Sequence, residues 1–443
     1  MLNESFGRMP VKSSSRAIVS VLALLTATPV ASATEQPRPP ALRVDAAAGE
    51  VVALAQFCDL ERSATVEFPI VGDKSDRGYE ALFRTFASPG EIARALEGIG
   101  VPRGVNVNAA THDFWPRGER VAIDVAPADS DNAAWTPLQR YISDMETRAP
   151  LAFDSFVYCG SPDDPEPEKP GDRLADTAAP NAILSTYNER QTVLDIPARV
   201  AQSDVYGRFV LAPDHNLAPH GLYFIRFRPV RRPDGLPRVR NCVLRLSASD
   251  AGPALSLSEK GAPLCSGDAA AIATALADLE RGGFDVFASV EFDGGLTLAD
   301  AAVCARLVAA FEDAGSLRVK GPAPDAIYYK AFLPDEAWRV RKDRPSQPWE
   351  LRVAATPGEP AAAHLTLVKT IEDWTDETSF EPRLTTREFA AASPAEAAAT
   401  VEAEGAALPV LLAFAPADMR LADILPAILA LKPRLPTLYV FSL

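Results

Sequence analysis

One plan, strand–helix–strand around a Leu-Ala-Asp triplet, occurs twice in the second half of this chain. It constrains the fold more than any other feature. Phe284 to Phe292 is apolar and β-branched enough to form a strand. Thr297, with Asp300 three residues later, opens a helix in the manner of a capping box. Cys304, Leu307, Val308 and Phe311 then fall at i, i+3, i+4 and i+7, a single apolar stripe. Gly315 stops the helix, and Ser316 to Lys320 alternates as a short strand. The plan returns as a strand at Val410 to Phe414, the triplet Leu421-Ala422-Asp423, a stripe of Leu421, Ile424, Leu425 and Ile428, and a strand at Thr437 to Phe441.

The repeat extends backwards. Trp349 to Val353 can be laid on Tyr223 to Phe227, and His364 to Leu367 on Val243 to Leu246. Ser393, which opens another capping box, lies on Ser266, which precedes an apolar stripe of Ile272, Leu276 and Leu279. Each copy then reads hairpin, strand, helix, strand, Leu-Ala-Asp, helix, strand. The expected fold class is α+β and multi-domain: a mixed β-sheet N-terminal domain over residues 44–213, followed by two related hairpin-β-α-β-α-β modules. Copy 1 covers 221–320, a connector 321–347, and copy 2 covers 348–443.

The first stretch reads as an address rather than as fold. Arg8, Lys12 and Arg16 make a positive start, Ala17 to Val30 is an apolar run too short to span a bilayer, and Ala31-Ser32-Ala33 is a small-x-small cleavage site. Residues 1–33 are therefore expected to be a cleaved signal peptide, and residues 34–43, with Pro37, Pro39 and Pro40, a linker. Export to the periplasm follows, with no transmembrane segment in the mature chain. The net charge is −15; three basic and one acidic residue leave with the leader, which moves it to −17. So acidic a chain argues against nucleic acid as a partner.

Five cysteines remain after cleavage: Cys58, Cys159, Cys242, Cys265 and Cys304. An oxidising compartment favours disulfides, and an odd count leaves one thiol over. Under the repeat alignment Cys242 falls on Ala363 and Cys265 on Ala392, both small, which predicts a Cys242–Cys265 bridge present in one copy only. Cys58–Cys159 is the second expected bridge, since both residues end strands of one domain. Cys304, on the helix stripe, is the expected free thiol.

In the N-terminal domain, strands are expected at Val51–Phe57, Val66–Val71, Val121–Val125 and Leu151–Tyr158, and a helix after the box Ser88-Pro89-Gly90-Glu91. Gly78-Tyr79-Glu80-Ala81-Leu82-Phe83, that helix, Phe114-Trp115-Pro116-Arg117-Gly118 and Val157-Tyr158-Cys159-Gly160-Ser161 together resemble the YdjY-type domain, a family of exported bacterial domains. The resemblance runs from Val44 to Pro213. It implies location and domain type and brings no catalytic residues with it. One C-terminal module, as in Leu411 to Phe441, resembles the periplasmic domain of the ExbD/TolR proteins. That likeness implies a dimerising or envelope-contacting module and leaves a homodimer open; the membrane helix of those proteins has no counterpart here.

Candidate chemistry is sparse. Glu80 is the one carboxylate in the family-like motif without a capping or surface role, and His112 with Cys159 would make a thiol–imidazole pair. Asp214, His215 and His220 lie in a Pro- and Gly-bounded loop, so no metal site is expected, and nothing implies a cofactor. Arg226, Arg228, Arg231 and Arg232 form a local basic face suited to a protein or an anionic envelope component. Trp338 to Arg344 is the most basic run. The expectation is a non-enzymatic interaction or scaffold protein of the cell envelope acting through its tandem modules. The alternative is a periplasmic enzyme or redox protein using Glu80, His112 and Cys159.

Overall fold

The computed structural model describes residues 39–61, 64–129, 134–249, 252–335, 337–338, 347–356, 359–373 and 383–443. The leader Met1–Ala33, residues 34–38 of the linker, residues 339–344 of the basic run and the turn residues Pro357 and Gly358 lie outside them, and the end of the expected linker, Leu42 and Arg43, belongs to a strand. The fold is α+β with mixed sheets.

The N-terminal domain contains strands β1 (Leu42–Asp45), β2 (Glu50–Phe57), β3 (Phe68–Val71), β4 (Ala81–Thr85), β5 (Arg120–Pro127), β6 (Thr136–Pro137), β7 (Ile142–Asp144), β8 (Phe156–Tyr158), β9 (Ala182–Leu184), β10 (Leu194–Asp195), β11 (Phe209–Leu211) and β12 (Leu222–Pro229). Its helices are α1 (Pro89–Gly98), α2 (Leu174–Thr177) and α3 (Gln202–Val205). The main sheet runs β1-β2-β12-β5-β8-β10-β9-β3-β4, and β4 returns to pair with β2, so the pairings close into a ring. Closure leaves the ring strands without free edges and encloses one core, with Ile70, Leu82, Phe83, Phe156 and Phe227 among its fully buried side chains. Helix α1 starts as expected: the Ser88 hydroxyl accepts from Glu91 N–H, and the Glu91 carboxylate accepts from Ser88 N–H.

The two modules share one topology. The first holds β13 (Val239–Ser249), β14 (Gly252–Glu259), β15 (Ala262–Gly267), α4 (Ala269–Arg281), β16 (Asp285–Phe292), α5 (Leu298–Asp313) and β17 (Arg318–Val319). The second holds β18 (Trp349–Thr356), β19 (Glu359–Asp373), β20 (Arg383–Ala391), α6 (Pro394–Glu404), β21 (Val410–Ala415), α7 (Leu421–Leu431) and β22 (Thr437–Ser442). Their sheets run β15-β14-β13-β16-β17 and β20-β19-β18-β21-β22, with the same parallel and antiparallel pairs in each.

The order of elements matches expectation, but the register does not. Strand β12, expected as the first strand of module 1, lies between β2 and β5 in the N-terminal ring. Its alternating burial serves that sheet: Tyr223, Ile225 and Phe227 are buried. The hairpin of module 1 therefore begins one strand later, at β13, and α4 is capped by Asp268 rather than Ser266. With the Leu-Ala-Asp triplets matched, Leu244 corresponds to Leu351, and Cys242 and Cys265 correspond to Trp349 and Phe389. The small-residue argument for a Cys242–Cys265 bridge thus fails: Trp349 and Phe389 are large rings in contact, centroids 6.0 Å apart.

The modules meet about a local pseudo-two-fold axis. Thr297 and Arg420, equivalent residues, face each other in an antiparallel bridge. Leu298 N–H donates to Met419 O (2.9 Å), and its equivalent Leu421 N–H donates to Leu296 O (2.8 Å). Ala299 N–H to Ala417 O and Ala422 N–H to Gly294 O repeat the exchange one step out, at 2.9 and 3.0 Å. Gly294 eases this close approach, since a Cβ on it would lie 3.2 Å from the Ala422 Cβ, tighter than an ordinary contact. One hydrophobic core runs through both modules and takes in Tyr329 and Phe332 from the connector.

Candidate functional site

The face of module 1 opposite its helices packs on the N-terminal ring, and the contact is polar and buried. Asp285, at the start of β16, accepts from Arg120 Nε and a terminal nitrogen at 3.0 and 3.2 Å, and pairs with Arg318 at 3.1 Å. Burial pushes the Asp285 carboxyl up, but Arg120 and Arg318 more than reverse this and hold it below the usual carboxylate range. Glu312, near the end of α5, is a second tie. Its carboxylate accepts from Trp115 Nε1–H (2.8 Å) and the Tyr329 hydroxyl (2.7 Å), with Arg199 at 3.3 Å and Lys330 at 3.6 Å.

The segment leaving β12 for β13 crosses this junction and roofs a groove of two adjoining cavities, about 610 and 310 Å³, which share Pro102, Glu119, Leu236 and Pro237. The floor is set by backbone. Val105 and Arg117 exchange two N–H···O bonds of 2.7 and 2.9 Å. Gly118 lies so close to Tyr158 that a Cβ would fall 2.0 Å from its carbonyl oxygen. Cations dominate the walls: Arg103, Arg117, Arg240 and Lys260 in the larger cavity, Arg120, Arg231 and Arg232 in the smaller. The lining carboxylates are Glu119 and Glu259. Four cations already have partners: Arg103 with Asp163, Arg120 with Asp285, Arg232 with Asp234, and Arg240 with Glu259. Among the described residues, Arg117, Arg231 and Lys260 make no ion pair, and Arg117 lies over the Phe287 ring at 5.9 Å. Burial pulls the Arg117 guanidinium below its ordinary value, against Asp113 and Cys159. Apolar surface alternates with this charge, and Leu236 at the rim is 54% exposed. Such a groove suits an extended ligand carrying carboxylates and apolar groups together.

The residues proposed from sequence are dispersed. Of the basic face, Arg231 and Arg232 line the groove, whereas Arg226 and Arg228 both bind Asp124, at 2.9 and 3.2 Å, and Arg226 stacks 4.2 Å over Trp135. Glu80 lies beside Arg77 (3.3 Å); burial, then Glu67, raises its carboxyl, against Arg77. His112 stacks on Tyr328 of the connector, centroids 5.0 Å apart and planes 4° from parallel. Cys159 is fully buried, and burial with Asp195 raises its thiol well above the usual value. These three side chains have different neighbours and form no common site. His220 pairs with Asp59, and His215 Nδ1 accepts from Leu217 N–H at 3.2 Å.

All five cysteines are free thiols, which corrects both expected bridges. Cys242 is on β13 and Cys265 on β15, with β14 between them and their registers two residues apart. Cys58 follows β2 and Cys159 follows β8, which are separated in the sheet by β12 and β5. Strand spacing of about 4.8 Å puts each pair beyond the roughly 7 Å Cα separation that a disulfide can close. Burial raises the thiols of Cys58, Cys242 and Cys304 to about 11 each.

Arg117, Lys260, Asp285 and Glu312 were not singled out from sequence. Arg117 did sit inside a family-like motif, but its role depends on module 1, more than a hundred residues later. Lys260 occupies a left-handed turn position, φ 49°, and carried no signal of its own.

Among curated proteins none matches this sequence. Among solved structures, a Bacteroides thetaiotaomicron protein with actin-like ATPase fold and unknown function is similar over 45% of this chain and 90% of its own, at 9% identity and a TM-score of 0.14. That score supports no statement about fold or activity. Among the described residues no helix is long and apolar enough to cross a membrane. Residues 42–196 match the family model of the YdjY domain, and the N-terminal ring, completed by β12 from beyond that segment, is a YdjY-type domain.

Proposed function

We propose that this chain is an exported, non-catalytic interaction protein of the cell envelope, and that its groove holds an acidic, extended segment of a protein partner. One observation carries the reading: among the described residues Arg117, Arg231 and Lys260 stand without ion pairs in a groove whose other cations are paired, against one lining carboxylate, Glu119, that is likewise in no ion pair, on a chain of net charge −15. The cavities are too narrow for a folded domain and fit a strand-like segment. Leu236, Pro237 and Phe284 between the cations favour a peptide with apolar side chains over a carbohydrate polymer. The scatter of Glu80, His112 and Cys159, with the thiol buried, argues against the enzymatic alternative. Export rests on the leader pattern of Met1 to Ala33.

The test is fluorescence anisotropy of the full chain with a labelled peptide of alternating Glu and Leu, against one of Lys and Leu. The acidic peptide should bind selectively, more weakly as salt rises, and the double variant R117E/K260E should weaken it by about tenfold or more. Equal binding of the two peptides, or no effect of the double variant, refutes the reading. N-terminal sequencing of protein from the periplasmic fraction tests export, with residue 34 as the expected first residue.

A further inference from the structure

A separate cavity of about 210 Å³ lies where the N-terminal domain, the connector and module 2 meet. Its walls are largely rings. His112 and Phe114 come from a turn of the N-terminal domain, Tyr328 from the connector and Tyr439 from β22. His112 and Tyr328 are stacked, and the Phe114 and Tyr328 centroids are 5.9 Å apart. Arg199, Lys330 and Lys432 also line the cavity, and among the described residues no carboxylate does.

One charge here is underused. Lys432 Nζ donates to Pro324 O (3.2 Å) and Ala326 O (2.7 Å), which leaves one of its three N–H groups over, and among the described residues it makes no ion pair, with Asp325 the carboxylate that acts on its charge. Tyr328 is only 9% exposed and supplies its ring to the wall, with its hydroxyl buried beside Glu312 and Tyr329. Arg199 and Lys330 are held by Glu312 behind the wall, which keeps them in place and leaves Lys432 as the open charge. Burial and the nearby Lys432 lower the imidazole of His112, against Asp113, so it stays neutral near pH 7 and acts as a stacking surface.

We propose that this cavity binds a small aromatic carboxylate, its ring between the aromatic walls and its charge against Lys432. The size fits, since a cavity of about 150 Å³ holds benzene. A ligand here touches all three parts of the fold at once, so its binding stabilises their common arrangement. The peptide groove at Arg117 is a different place and takes no part.

Benzoate and its neutral isostere benzamide are the probes, titrated calorimetrically into the full chain, with melting temperature followed in parallel. Benzoate should bind and raise the melting temperature, and benzamide should bind about tenfold or more weaker. Lys432→Met should remove the preference for benzoate. Thr437→Trp, at an exposed rim position of β22, should block both probes without lowering the melting temperature of the free protein. R117E should leave benzoate binding unchanged. Equal affinity for the two probes, no binding up to about 10 mM, or undiminished binding in Thr437→Trp would overturn the proposal.

Discussion

Glu312 offers the sharpest test of how the domains are held together. It is 3% exposed and serves four partners from two parts of the fold other than its own: from α5 of module 1 it binds Trp115 and Arg199 of the N-terminal domain, and Tyr329 and Lys330 of the connector. Glu312→Leu removes the acceptor and keeps the bulk. Trp115 N–H and Tyr329 O–H then lose their partner, at about 1–3 kcal/mol each where water cannot replace it. Arg199 and Lys330 are 39% and 37% exposed, turn to solvent, and add about 1 kcal/mol or less. The total is about 2–7 kcal/mol, and it falls on one interface rather than on a core. Since a chain of several domains need not unfold in one step, the loss should appear as a split. Calorimetric scans should show the N-terminal domain and the modules melting apart in Glu312→Leu and closer together in the native chain. Glu312→Gln keeps an acceptor oxygen and should lie between. An unchanged single transition in Glu312→Leu would refute the claim that this carboxylate couples the domains.

Three further outcomes are expected. Asp195 is fully buried, with one oxygen taken by Asn188 and Ile196 N–H and the other unpartnered, and burial raises its carboxyl well above the ordinary value. Its folded value exceeds its unfolded one, so the native chain loses stability as pH rises from the ordinary aspartate range towards the folded value, by at most about 1.4 kcal/mol per unit. Asp195→Asn should flatten that slope in melting temperatures from pH 5 to 9, and an unchanged slope would count against it. Thiol titration of the denatured, unreduced chain should give five thiols, while in the folded protein Cys159 and Cys304 stay unreactive; a count of one or three would restore a bridge. Gly118→Ala meets the Tyr158 carbonyl, which is backbone and cannot turn away, and should cost about 1–3 kcal/mol in urea unfolding.

Much of the architecture was legible along the chain. The strands Val410–Ala415 and Asp285–Phe292, the Ser88, Thr297 and Ser393 caps, and the buried stripes through Cys304 and Val308 or Ile424 and Ile428 all stand where local pattern put them. The cases that slipped share one cause. Leu222–Pro229 has the alternation of a half-buried strand and is one, but nothing local says which sheet takes it: it pairs with β2 and β5 rather than with β13 in a hairpin. With the triplets matched, Val290 corresponds to Ala413 and Leu412 to Ser289, and an alignment one residue off would set side chains of opposite faces against each other. A slip of one residue reverses every side chain of a strand, and only packing settles it.

Local pattern along the chain is enough to set the kinds of element, their order and their duplication, because periodicity and capping act within a few residues. Long-range packing sets the rest: β12 closes the N-terminal ring, the modules face each other at Thr297 and Arg420, the cysteines stand apart, and Arg117 and Lys260 share a groove. Those outcomes depend on which buried faces and sheet edges meet across hundreds of residues, and that choice minimises exposed apolar surface and unpaired backbone for the whole chain at once.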